Sequence, residues 1–216
     1  MTKLHRLCAL LPLLLSLSAC ESAYYSVMEE MGVHKRDILI DRVEEAQTAQ
    51  QQGKQQFQNA LEQFREVLSF DGGQLQDAYD RLNSEYEKSE AAAATIRDRI
   101  GKVDDVAKAL FQEWSSELDL YTNGNLRRDS ERQLNETQQR YASLFNAMRN
   151  AEATIDPVLD TLRDNTLYLK HNLNARAISS LRGELGTVND NVSVLISAME
   201  NAIAESDLFI ARMKQG

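Results

Sequence analysis

The sequence predicts an all-α protein, an elongated antiparallel bundle of about four long, coiled-coil-like helices. Three observations carry that expectation. The chain is rich in Ala, Leu, Glu and Gln and holds only two prolines, nine glycines and 6% aromatic residues, a balance that suits helix almost throughout. Apolar residues recur in a four-three spacing over long segments, the period of helices packed on helices at ~3.5 residues per turn. Turn-forming clusters at Asp71-Gly72-Gly73, Thr122-Asn123-Gly124-Asn125 and Asn172-Leu173-Asn174 divide the chain into nearly equal pieces.

The first residues stand apart from that pattern. Lys3 and Arg6 precede an apolar run from Leu7 to Leu17, the basic n-region and short h-region of a secretory signal. The run is too short to remain as a bilayer-spanning helix. It ends in Leu17-Ser18-Ala19-Cys20, which resembles the lipobox of bacterial lipoproteins. The resemblance implies cleavage before Cys20, diacylation of its thiol and a third acyl chain on the new amine, so the first partner is a membrane held through Cys20. An ordinary signal peptide cut after Ala19 is the alternative. Residues 1–19 are read as signal peptide, 20–32 as lipid anchor and short tether, and 33–216 as the helical domain. Cys8 leaves with the signal, so no thiol remains for a disulfide.

Helix one is expected over about 33–70, with Leu39, Val43, Ala46, Gln50, Gly53, Phe57, Ala60, Phe64 and Val67 in one phase. Its middle is unusual, because glutamines crowd around Gly53 where a coiled coil wants leucine. Helix two, about 75–121, holds its phase from Leu75 through Leu82, Ala93, Ile96, Ile100, Val103, Leu110 and Trp114 to Tyr121. Helix three, about 126–171, runs from Leu126 through Leu134, Tyr141, Leu144, Met148 and Ile155 to Leu169. Pro157 interrupts it, as a kink or as a restart with Asp156 for a cap. Helix four, about 175–214, starts in a new phase at Ile178 and keeps it to Met213. Segments of this length reach roughly 60–70 Å at ~1.5 Å per residue, and matched lengths with short corners suit an up-down-up-down bundle. A continuous helix from Asp156 to Lys214 beside an elongated hairpin is the competing topology.

Three stretches carry a family resemblance: Val33 to Val43, Ala60-Leu61-Glu62-Gln63-Phe64, and Leu169-Lys170-His171-Asn172-Leu173-Asn174-Ala175. With the lipobox they resemble an uncharacterised proteobacterial lipoprotein family, domain of unknown function 2959, over essentially the whole mature chain. The resemblance implies a Gram-negative envelope and brings no activity, substrate or catalytic residue. In typical sorting an Asp after the lipidated Cys retains a lipoprotein in the inner membrane. Glu21 stands in that place, so the periplasmic face of the outer membrane is expected ahead of the inner membrane.

Chemistry is sparse. Removing the signal takes away two basic residues and no acidic ones, making the net charge still more negative than the −9 of the whole chain. That excess of carboxylates argues against nucleic acid, whose phosphates dominate affinity, and against broad adhesion to anionic lipid. His34 and His171 fall at opposite ends of a bundle and lack a second ligand at helical metal spacing. No nucleophile elbow, phosphate loop or zinc-protease motif occurs, and nothing calls for a cofactor. The expected role is non-enzymatic, a membrane-anchored periplasmic scaffold or interaction module whose partner is another envelope protein. A lipid-engaging or membrane-remodelling helical protein is the alternative.

Two places are candidate sites. Corner arithmetic puts Gln50, Gly53, Ala92, Pro157, Asn189 and Asn191 at one height, a waist that is either a narrow packed layer or a hinge with a small polar pocket. The same topology gathers Lys35, Arg36, Arg127, Arg128, Arg212 and Lys214 at the anchored end. Arg127 and Arg128 stand out, because a first helical turn disfavours positive charge.

Overall fold

The heptad segments form helices in the computed structural model, which describes residues 28, 32–69 and 75–215. Helix α1 spans Lys35–Leu68, α2 Leu75–Glu117, α3 Gly124–Ala153, α4 Ile155–His171 and α5 Ala175–Gln215, with a 3₁₀ turn at Leu118–Leu120. The glycine corner at 71–73 lies outside the described residues. At the other corners asparagine does the capping. Asn123 Oδ1 accepts from the backbone N–H groups of Asn125 (2.9 Å) and Leu126 (3.3 Å). Asn174 Oδ1 likewise accepts from Arg176 (3.0 Å) and Ala177 (3.2 Å), satisfying donors that have no partner inside a helix.

The third rod restarts rather than bends at its proline. The break falls at Thr154, whose N–H turns back to the Ala151 carbonyl at 3.2 Å and whose Oγ1 donates to the same oxygen at 2.7 Å. Pro157 is then the third residue of α4, inside the first turn where a missing N–H costs least. The corner at 172–174 separates α4 from α5, which rules out one continuous helix from Asp156 to Lys214.

The helices make a square in cross-section. α1 neighbours α2 and α5, and the α3–α4 rod neighbours the same two. Cross-links set the direction of each pair. Along α1, Arg65 meets Asn189 (2.6 Å), Lys54 meets Glu200 (3.2 Å) and Gln47 meets Asp207 (2.7 Å), so α5 runs antiparallel to it. Lys35 to Glu113 (2.8 Å) and Gln56 to Glu85 (2.8 Å) do the same for α1 and α2. Tyr141 to Asp104 (3.1 Å) and Arg97 to Asp156 (2.6 Å) do so for α2 and the third rod.

Along the body of the rods the core lies where the heptads place it. Every phase position read along helix one, including Gln50 and Gly53, is buried. Leu82, Ile96, Ile100, Leu144, Met148, Ile155, Leu162 and Leu181 are among the large side chains under 2% exposed. At roughly 25 cal/mol per Å² of apolar surface, this continuous seam is the main stabilising term.

Candidate functional site at the end where four helix termini meet

The antiparallel order brings the starts of α1 and α3 and the ends of α2 and α5 to one end. Lys35 on α1 reaches Glu113 on α2 at 2.8 Å. Arg36 donates to the Met213 carbonyl of α5. Trp114 Nε1 donates to Ser130 Oγ at 2.8 Å, tying α2 to α3. Lys214 pairs with Glu44 at 2.7 Å. Arg212 is exposed and, with Arg36, Glu113, Trp114, Glu136 and Arg140, lines a cavity of about 440 Å³.

All six expected basic residues therefore share this end, but not as a free cationic patch. Glu113, Glu44 and Asp119 arrive beside Lys35, Lys214 and Arg127, a neutralisation that counting cations along one strand of sequence misses. Arg127 also loses its oddity. It pairs with Asp119 across the corner at 3.0 Å, while Arg128 donates to the Asn125 side chain. Exposed pairs of this kind contribute under about 1 kcal/mol each, yet they supply the anion that the first turn of α3 lacks.

The corner itself departs from the heptad expectation. The heptad phase places Tyr121 and Leu126 in the core, whereas they are 41% and 56% exposed, and Leu120 beside them is 78% exposed. α2 ends at Glu117, and the 3₁₀ turn directs only Leu118 inward. The apolar pattern outruns the bundle here. A signal existed in the sequence: three large apolar residues flank a turn that needs none. At the opposite end Leu167, Tyr168 and Leu173 are also exposed.

Just inside this end lies an aromatic layer. Tyr141 sits 5.4 Å from Phe111, 5.6 Å from Phe145 and 6.4 Å from Phe209, centroid to centroid. Its hydroxyl donates to Asp104, which also holds Lys108 at 2.6 Å. Burial, followed by the Asp104 charge and hydrogen bond, pushes the Tyr141 hydroxyl well above the usual tyrosine range. Tyr86 on α2 is pushed up to about 12, by burial and then by its bond to Glu90.

The waist does not assemble as expected. A Cβ on Gly53 would sit 2.5 Å from Ile96 Cδ1 and 3.7 Å from Met199 Cε, so Gly53 faces Ile96 and Met199 rather than Ala92 and the Asn189–Asn191 stretch. Ala92 is half-buried. Asn191 donates to the Pro157 carbonyl (3.3 Å) and Thr161 Oγ1 (2.9 Å), and Asn189 accepts from Arg65, both farther along the rod. Corner arithmetic assumes symmetric corners. A 3₁₀ turn and staggered ends shift each one, and by the fourth helix the shift reaches about two turns, roughly 12 Å. The close approach at Gly53 is real, but no polar pocket joins Gln50 to Asn189 and Asn191. Gln50 is 0% exposed, and neither of its amide atoms finds a hydrogen-bond partner among the described residues.

His34 precedes α1 and His171 ends α4, at opposite ends of the bundle. Among the described residues no three His, Cys, Asp or Glu side chains gather as a metal site, and no helix is long and apolar enough to cross a membrane. Cys20 lies outside the described residues. A comparison with functionally curated proteins finds no match. The family model described as "protein of unknown function (DUF2959)" matches residues 24–213, and over that span, nearly the whole helical domain, the chain belongs to this family.

Proposed function

We propose that the protein is a lipoprotein of the Gram-negative periplasm, anchored through acylated Cys20, and that it works without catalysis as a helical scaffold for another envelope protein. The observation that carries this reading is Leu17-Ser18-Ala19-Cys20 at the end of an h-region. The family match begins at residue 24, so the domain starts within four residues of the anchor. Glu21 after the cysteine supports the periplasmic face of the outer membrane. The bundle supports a scaffold because its layers are filled: Phe57, Phe64, Leu144, Met148 and Leu162 are under 2% exposed. A carrier of a hydrophobic ligand between splayed helices needs room there, so that alternative has less support.

The test is the mass of the mature N-terminal peptide together with membrane fractionation. The expected peptide begins at Cys20 with acyl chains on the sulfur and the amine, from protein in the outer-membrane fraction. A chain beginning elsewhere, or a free Cys20 thiol, overturns the anchor. Recovery with the inner membrane overturns the sorting assignment alone. For the scaffold, a photocrosslinker at the far-end residue Leu173 is expected to trap one envelope protein reproducibly, and a crosslinker at Leu208 on the side of the rod is not. Identical patterns from both positions would argue against end-specific recognition.

A further inference from the structure

We infer that the corner between α2 and α3, residues 118–126, is a membrane wedge. Leu120, Tyr121 and Leu126 enter the interfacial region of the bilayer that holds Cys20. The inference rests on the anchored reading above and adds the surface by which the bundle meets the lipid.

Four observations converge on this corner. The first is its exposure: three large apolar side chains are open at one helix corner, with Leu120 at 78%. Tyr121 and Leu126 continue a core pattern past the point where it is buried, and no described residue covers them. Several large apolar side chains exposed at one corner mark an interaction surface.

The second is reach. Met28 packs against the core, and its carbonyl accepts from the Val33 N–H at 2.9 Å, directly before α1 begins. Lys35, in the first turn of α1, is bound to Glu113 near the end of α2. Cys20 is eight residues before Met28, so their Cα atoms stand at most about 28 Å apart. The acyl chains therefore enter the bilayer from the same end of the rod as the corner, while Leu173 lies a rod's length away, roughly 60 Å.

The third is the chemistry of the rim. Leucines at the tip, a tyrosine with an apolar ring and a polar hydroxyl, and the exposed Arg128 in the first turn of α3 follow the order of an interfacial anchor, while Asp119 at the tip is neutralised by Arg127. The backbone is prepared as well, since Asn123 already accepts from Asn125 and Leu126, leaving fewer bare donors to carry into a medium poor in water. The fourth is the rest of the surface. The acidic body has no attraction for anionic lipid, so contact is confined to the tip and the rod stands away from the bilayer.

The test uses the full acylated protein in vesicles of phosphatidylethanolamine with a minor fraction of phosphatidylglycerol. With Cys8 removed and Cys20 acylated, Leu120→Cys offers a single thiol for a spin label, and Leu173→Cys serves as the far-end control. The expected label at 120 collides readily with oxygen and poorly with a water-soluble nickel chelate, while the label at 173 shows the reverse. A label at 120 as open to the chelate as that at 173 overturns the wedge. A label at 120 shielded from both reagents also overturns it, because a second copy or a protein partner then covers the corner. Leu120→Glu with Leu126→Glu is expected to leave the melting temperature unchanged, both sites being exposed, and to raise chelate access several-fold at a label on Tyr121→Cys. No rise there would sink the proposal. The anchor is read separately from the N-terminal peptide mass, so a failed wedge with an acylated Cys20 is distinguishable from a failed anchor.

Discussion

The layer around Gln50 and the layer around Tyr141 each place a polar side chain inside the same bundle, with opposite results. The Tyr141 hydroxyl reaches Asp104 at the edge of its layer, and the ring packs against Phe111, Phe145 and Phe209. Gln50 is fully buried one turn before Gly53, which lies so close to Ile96 that a single added carbon would displace the Ile96 side chain. Most shorter buried polar groups bond their own helix: Ser89 to the Glu85 carbonyl, Ser206 to Ala202, Thr166 to Leu162. Gln50 does not, and its amide has no partner among the described residues. A buried polar group is cheap where a partner lies within reach and expensive where none does. The aromatic layer gives its polar group a partner, and the Gln50 layer forgoes one where Gly53 closely approaches Ile96 and Met199.

The largest expected effect breaks the aromatic layer. Phe209, 3% exposed, truncated to alanine leaves a cavity costing about 3–5 kcal/mol, read as a drop of order 10 °C in melting temperature at ~2–4 °C per kcal/mol. A change under 1 kcal/mol would mean that the layer does not act as a packed unit. Overpacking the other layer comes next. Gly53→Leu must push Ile96 and Met199 aside and is expected to cost ~1–3 kcal/mol; an unchanged melting temperature would show that the helices do not converge there.

Tyr141→Phe sharpens the comparison through pH. The folded-state pKa of Tyr141 is raised, so its contribution is fully present below the unfolded value near 10. It is lost as pH rises above 10, when the unfolded chain ionises first. Stability is expected to fall above pH 10, and the variant should flatten part of that fall. An identical alkaline profile would show that the Tyr141 hydroxyl is not held protonated. The remaining slope belongs partly to Tyr86, raised to about 12. The smallest effect has the opposite sign. Gln50→Leu replaces an unpartnered amide with an apolar group of similar size and is expected to stabilise by about 1 kcal/mol. A loss of stability would mean that the amide is satisfied in solution.

The candidate sites were legible to different depths. Lys35, Arg36, Arg127, Arg128, Arg212 and Lys214 do share one end, because alternating direction alone decides which termini meet. Their neutralisation by Glu113, Glu44 and Asp119 was hidden, because it depends on rotation and height between helices. The heptads place Tyr121 and Leu126 in the core because periodicity reports which face of a helix is apolar, not where the neighbouring helix stops. The waist failed for a related reason. Small offsets at successive corners accumulate, so Met199 rather than Asn189 lies opposite Gly53.

By itself the sequence determined the number of rods, the buried face of each and the phase change between Leu169 and Ile178. These are local properties, written in a period of about 3.5 residues and in capping chemistry that acts within one turn. It also holds Leu17-Ser18-Ala19-Cys20, whose resemblance to a lipobox is a linear signal that needs no fold. Only the tertiary structure decided that the third rod restarts at Thr154, that Gly53 approaches Ile96, and that among the described residues Gln50 has no partner and Leu120, Tyr121 and Leu126 no cover. Each of these turns on axial stagger between helices. Stagger is set by the summed packing of whole seams and by the geometry of corners, and a shift of a few residues leaves every local pattern intact while changing which side chains meet.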